Sequence, residues 1–117
     1  MDWEVETREL FDDWLFTQEE SVQVEFVAAL TILEKFGPQL SRPYADTING
    51  SKHSNMKELI VQINGHPFRA FYAFDLTRRA IVCCAGDKKG KDEKKFYKKM
   101  IKTADSEFDD HLASLED

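Results

Sequence analysis

The side chains best suited to hold a phosphate anion are gathered between Lys52 and Tyr97 of this 117-residue chain. Lys52, His53 and Lys57 fall in "GSKHSNMKEL", Arg69 in "HPFRAFYAFD", and Lys88, Lys89, Lys91 and Tyr97 in "CCAGDKKGKDEKKFYKK". Arg69 is the most telling. A guanidinium set among phenylalanines must pair with a carboxylate or face a concave surface that holds an anion. Glu58 is the carboxylate at hand. If the segments on either side of Asn64–Gly65 pair as a hairpin, Ile60 lies opposite Arg69 and Glu58 opposite Phe71. Glu58 is then a diagonal neighbour of Arg69 on one face. Such a pair could be structural, and it could equally hold the guanidinium in place for an incoming phosphate. The lysine-rich stretch has three readings at this level: a phosphate-binding loop, a partner-binding face, or a solvated helix surface.

Other chemistries fit less well. "AGDKKGKD" approaches the P-loop pattern, but Ala85 stands at the first glycine and Asp92 where the Mg²⁺-binding hydroxyl belongs. A P-loop also requires a parallel sheet, and the strands here read as an antiparallel meander. His53, His66 and His111 are scattered and Cys83–Cys84 lacks chelating spacing, so no metal site is expected. Adjacent cysteines do not make a disulfide framework. On a strand they would point to opposite faces as two buried, inert thiols. The carboxylates of the first third read as a solvated helical face.

Charge is distributed unevenly. Residues 1–48 carry eleven acids and three bases (net −8), residues 49–103 thirteen bases and five acids (net +8), and residues 104–117 six acids (net −6). A chain this dipolar, with an isoelectric point near 5.1, is poorly suited to naked duplex. It suits a polyanion met at one small site or in one setting. With 42% hydrophobic residues the composition is that of one globular domain, residues 1–117. The start, "MDWEVETREL", has neither the basic end nor the apolar stretch of a signal peptide, and no apolar run approaches the roughly 20 residues of a membrane span. A reducing cytoplasm is the expected location.

The elements that must position these groups follow from periodicity. "DWEVE" alternates as a short strand. Leu10, Phe11, Trp14 and Leu15 repeat at helical spacing, and "TQEE" offers a capping box with Thr17 as N-cap and Glu20 three residues on. Val22, Phe26, Ala29, Leu30, Leu33 and Phe36 continue as an apolar stripe that Gly37–Pro38 stops. Residues 8–36 therefore read as two helices, and "PQLSRPYADTINGSKHSN" as a loop. "MKELIVQI", the turn Asn64–Gly65 and "HPFRAFYAFD" form a hairpin. Phe68, Ala70, Tyr72 and Phe74 fall on one side of its second strand, Arg69, Phe71 and Ala73 on the other. "RAIVCCAG" is apolar almost throughout and reads as an interior strand. Phe96, Met100, Ile101, Ala104, Phe108 and Leu112 mark a last helix with Asp92 as N-cap. The order is β-α-α-β-β-β-α, an α+β domain with a small antiparallel meander.

"MKELIVQINGHPFRAFYAFD", followed by "RAIVCCAGDKKGKDEKKFYKKMIKTADSEF", resembles the RelE/HigB superfamily of toxins from bacterial type II toxin–antitoxin systems. The resemblance is to the HigB-like branch related to phage-derived proteins, over roughly residues 40–110. It implies a RelE-like fold and an mRNA endonuclease that cuts in the ribosomal A site with no metal and no cofactor. In that reaction the 2′-hydroxyl attacks the adjacent phosphate and basic side chains stabilise the developing charge. Carried across, Arg69 matches the family's strand arginine, Glu58 its "E-L" glutamate, and Lys88 and Lys89 the lysines after the central strand. Lys57 joins them as a candidate at the strand entry.

Two departures matter. Relatives often have arginine where this chain has Ile60, and many have histidine–glycine–aromatic where it has Ala85, Gly86 and Asp87. With no imidazole at that point, His53, Tyr97 or a Lys88 of lowered pKa could serve as acid or base. Lys52, Lys91, Lys94, Lys95 and Lys98 are either RNA-binding or a solvated surface. The implied partners are an antitoxin of helix-turn-helix type from the adjacent gene, the ribosome and mRNA, with no membrane. The alternative implied by the same superfamily is a non-catalytic or gyrase-directed module that binds a protein.

Overall fold

A computed structural model describes residues 2–116; Met1 and Asp117, the ends of the expected domain, lie outside the described residues. The element order is β1 (Glu4–Thr7), α1 (Glu9–Phe16), α2 (Glu20–Phe36), a 3₁₀ turn (Gly37–Gln39), β2 (Ala45–Thr47), β3 (Lys57–Ile63), β4 (His66–Phe74), β5 (Arg79–Asp87) and α3 (Glu93–Ser114). Asn64 and Gly65 both take positive φ, 51° and 77°, as a two-residue type I′ turn requires. The resulting hairpin sets Ile60 opposite Arg69 and Glu58 opposite Phe71, the register the sequence predicts.

The strands form one sheet in the order β1-β5-β4-β3-β2. β2 to β5 run as an antiparallel meander, while β1 lies parallel to β5, from Glu4 opposite Arg79 to Thr7 opposite Val82. The sheet is therefore mixed rather than purely antiparallel. The parallel edge is possible because two helices and the meander separate β1 from β5 in sequence. β2 falls in the segment read as a loop; its three residues are too few to show alternation.

Helices α1 and α2 cover one face and α3 the other, and alternation along β4 divides the core accordingly. Phe68, Ala70 and Tyr72 pack with Phe11, Phe26 and Leu33. Phe71 and Ala73 pack with Phe96, Ala104 and Phe108. The expected capping box is absent. α2 starts at Glu20 with Glu19 at its N-cap and no side-chain cap. Thr17 ends α1 instead, its hydroxyl donating to the Trp14 carbonyl at 2.7 Å. The last carbonyls of α1 need donors, and Gln23 Nε2 supplies more, to Leu15 and Phe16. Gly37 does end α2, at φ 55°; a Cβ there would meet Trp3 at 2.3 Å.

β5 carries a bulge. Tyr72 pairs with Val82 and Phe71 with Cys84, which leaves Cys83 as the extra residue. The two cysteines consequently share a face, against α3, rather than pointing to opposite faces. Both thiols are buried, and burial pushes Cys84 up to about 12. The bulge also decides which face each later residue of β5 takes.

Candidate functional site

Beyond the bulge, Gly86 lies opposite Arg69 and Asp87 opposite Phe68. Lys88 follows, its N–H donating to the Pro67 carbonyl at 3.1 Å, so its side chain leaves the sheet on the α3 face. Asp92 caps α3 by accepting the Lys95 N–H at 3.0 Å, as the sequence predicts. The first turn of α3 then brings Glu93 and Tyr97 over the end of the sheet.

Five side chains meet there. Arg69 Nε stands 3.1 Å from Glu58 Oε1, and its guanidinium also donates to the Phe68 carbonyl at 2.9 Å. The Tyr97 hydroxyl donates to the same Glu58 oxygen at 2.6 Å. Lys88 Nζ lies 3.4 Å from the Tyr97 hydroxyl, above its ring, and 2.7 Å from Glu93 Oε1. Glu58 is buried, with its side chain 11% exposed, whereas the Glu93 side chain is 70% exposed. The surroundings shift three of these groups, Lys88, Tyr97 and Glu93. Burial pulls the Lys88 ammonium down, but its bonds to Glu93 and Tyr97 outweigh that and hold it above its ordinary value. Burial and the Glu58 carboxylate push the Tyr97 phenol up. The hydrogen bond from Lys88 keeps Glu93 below the usual carboxylate range. Lys88 is thus a fixed cation rather than a base of lowered pKa, and Tyr97 a fixed donor.

The other expected residues are dispersed. Lys57 lies on the opposite face from Glu58, because strand neighbours alternate, and its ammonium donates to the Pro38 carbonyl at 3.2 Å. Lys52 and His53 are drawn to the far part of α3. Lys52 pairs with Asp109, His53 Nε2 meets Asp109 Oδ1 at 2.8 Å, and Ser51 and the Lys52 N–H bind Asp105. Lys89 projects from the loop with its N–H bound to Asp87. Lys91 and Lys95, with Lys99, line a groove of about 550 Å³ floored by Trp14, Phe96 and Met100. At 3.6 residues per turn this groove and the pair Glu93–Tyr97 lie on different flanks of α3. Lys94 and Lys98 are exposed.

Sequence reasoning passed over two aspartate–histidine pairs. His111 Nε2 meets Asp75 Oδ2 at 2.8 Å in a buried site where β4 turns into β5. His66 Nδ1 meets Asp87 Oδ2 at 2.6 Å at the end that holds Arg69. Asp87 could not be placed beside His66 without knowledge of the bulge.

An antiparallel meander with a parallel edge strand, two helices on one face and one on the other, makes a RelE-like fold. A free-state double mutant of the E. coli toxin RelE superposes with a TM-score of 0.63 at 12% identity, over 87% of this chain and 97% of that one. A chain of the archaeal RelE–RelB complex from Pyrococcus horikoshii OT3 gives 0.57 at 12% identity, over 77% of this chain and 99% of that one. These likenesses are of fold. The chain belongs to the phage derived protein Gp49-like family, whose model matches residues 13–109, and through it to the RelE/HigB-like toxins. Two Mycobacterium tuberculosis (strain ATCC 25618 / H37Rv) proteins named as proposed toxins are similar to it. HigB2 is 45% identical over 77% of this chain, and HigB3 is 38% identical over 86% of each chain. The chain spans 45% of the length of the HigB2 relative.

Proposed function

We propose that this protein is the toxin of a type II toxin–antitoxin pair and cleaves mRNA on the ribosome by 2′-hydroxyl attack on the adjacent phosphate. The observation that carries this reading is the meeting of Arg69 and Lys88 at the sheet end, each with a different kind of carboxylate partner. Glu58 is buried, paired with Arg69 and bound by the Tyr97 hydroxyl, so it stays and orients Arg69. Glu93 is exposed, so a phosphate can take its place on Lys88. The two cations then stabilise the charge that develops on the phosphoryl oxygens, with the Tyr97 hydroxyl beside them. Lys91, Lys95 and Lys99 hold neighbouring RNA phosphates, and an antitoxin encoded by the adjacent gene silences the protein in the cell.

Purified protein added to programmed ribosomes is expected to cut mRNA at codon-dependent positions. Arg69→Ala should abolish the cuts, and Arg69→Lys, which keeps the charge but loses the planar fork, should restore only a fraction of the rate. Intact mRNA together with inhibited gyrase would overturn the endonuclease reading in favour of a protein-directed toxin.

A further inference from the structure

β1 covers β5 along only part of its length. The last pairing is Thr7 with Val82, and the chain leaves there with the Arg8 N–H on the Val82 carbonyl at 2.9 Å. Beyond the bulge the Lys88 N–H reaches Pro67 on the β4 side, and strand backbone alternates, so the main chain of Gly86 also faces β4. The N–H and C=O groups of Ala85 and Asp87 therefore point to the opposite edge, where none has a partner among the described residues. That open edge is the floor of the groove of about 550 Å³. One wall is Trp14 of α1, half-buried and held from the core by T-shaped contacts with Phe26 at 5.4 Å and Phe68 at 5.9 Å. The other is the start of α3, where Phe96 and Met100 lie beside the exposed Lys91, Lys95 and Lys99.

Each of these features narrows what fits. The carboxylates at the rim are already engaged: Asp92 caps α3, and Asp87 binds His66 and the Lys89 N–H. The three lysines are thus left to an outside anion. Lys95 and Lys99 stand about 6 Å apart along α3, of the order of one nucleotide step in a single strand. The free edge runs only from Ala85 to Asp87. That is shorter than a usual strand of about five residues, so it makes a poor ladder for an added peptide. It is long enough for the polar edge of one base. Proteins hold single-stranded RNA by this combination, with phosphates on basic side chains, a base stacked on an aromatic ring and its Watson–Crick edge hydrogen-bonded.

We propose that the cleft between α1 and α3, at the open edge of β5, binds one nucleobase of single-stranded RNA. The base stacks on Trp14 and meets the main chain of Ala85 and Asp87, while its phosphates lie on Lys95 and Lys99. The inference rests on the endonuclease reading only for the choice of RNA as the polyanion. Because the cleft and the Arg69–Lys88 cluster lie on different flanks of α3, the base held here belongs to a nucleotide other than the one that carries the scissile phosphate.

Fluorescence tests this without requiring cleavage. The chain has two tryptophans, so Trp3→Phe leaves Trp14 as the sole emitter. Titration of that protein with oligoadenylate should quench Trp14 saturably, whereas inorganic polyphosphate, which has charge but no bases, should bind without quenching. Trp14→Leu, followed by anisotropy of labelled oligoadenylate, should weaken RNA binding by about tenfold or more and leave polyphosphate binding unchanged. Trp14→Phe, which keeps an aromatic face, should recover part of the loss. Trp14 also packs in the core, so the exposed pair Lys95→Gln/Lys99→Gln gives a second measure: the salt slope of RNA binding should fall by about 1.4. Bound RNA that leaves Trp14 unquenched, or polyphosphate that quenches equally, would overturn the base site. So would an alternating Glu/Val peptide that quenches where RNA does not, since the edge would then receive a strand. Quenching by RNA in a protein that leaves mRNA on programmed ribosomes intact overturns the endonuclease reading alone.

Discussion

Glu58 is the residue on which the cationic cluster depends, because it pairs with Arg69 and accepts from Tyr97 while nearly out of solvent. Removing one partner of a buried ion pair leaves the other charge uncompensated and costs about 3 kcal/mol or more. Glu58→Gln should therefore lower the urea midpoint by an amount equivalent to about 3 kcal/mol. Glu93→Gln, at an exposed pair, should change stability by less than about 1 kcal/mol. Equal midpoints for the two variants would mean that Arg69 is held by something other than Glu58. A second carboxylate acts through acid stability. Burial pulls the Asp75 carboxyl upward, yet hydrogen bonds from His111, Thr77 and the Arg79 N–H outweigh it and set the group at about 2, below its ordinary 3.8. A depressed carboxylate stabilises the fold fully above its unfolded value and loses that contribution as pH falls towards its folded value. Between pH 4 and 2 the wild type should lose about 2 kcal/mol through this group alone. Acid titration of Asp75→Asn should show a correspondingly shallower slope over that interval. At this scale the sequence revealed Arg69 and Glu58 because local register fixes them. It did not reveal Asp75–His111, whose partners come together only when α3 closes over the β4–β5 turn.

Among the elements, the β5 bulge does most to build the site. Without the extra residue Cys83, Asp87 would face the other way and Lys88 would leave the Arg69 face. Its position is hidden in the sequence because "AIVCCA" is apolar without alternation, so nothing marks where the period slips. The β3–β4 hairpin, by contrast, was legible from "NG" and the flanking alternation. The three-residue β2 and the parallel pairing of β1 were not, since both depend on neighbours distant in sequence. The bulge also sets Gly86 beneath the first turn of α3, where an added Cβ would stand 3.1 Å from Phe96 and 3.5 Å from Met100. Gly86→Val should cost about 1–3 kcal/mol through overpacking and displace Tyr97 from Glu58. Asp92→Ala, which removes the N-cap of the same helix, should cost about 1 kcal/mol without that displacement. Thermal denaturation gives the two costs, and the exposure of the Tyr97 hydroxyl, followed by its spectroscopic titration, separates them.

Over the whole molecule the alternation of acidic, basic and acidic segments resolves into a division of surfaces. The acidic end of the chain, within α3, engages its own domain: Asp105 and Asp109 bind residues 51–53, and Glu107 pairs with Arg8 at 3.1 Å. The lysines at the start of α3 remain uncovered at the opposite end of that helix. Sequence alone leaves them as either a solvated face or a polyanion grip, and the groove of Lys91, Lys95 and Lys99 beside Trp14 and Phe96 makes the choice measurable. Each lysine that neutralises a phosphate of single-stranded RNA releases a counterion and adds about 0.7 to the slope of log affinity against log salt. If all three grip RNA, replacing them together by glutamine should reduce that slope by about 2 and weaken binding uniformly across sequences. Arg69→Lys should leave the slope unchanged, because it preserves the charge. The titration is best made on the same programmed ribosomes used for cleavage, over roughly the salt range in which such contacts dominate. A triple variant that binds with the wild-type slope would show that these lysines only solvate α3. The phosphate contacts would then be confined to the sheet end where Arg69 and Lys88 stand.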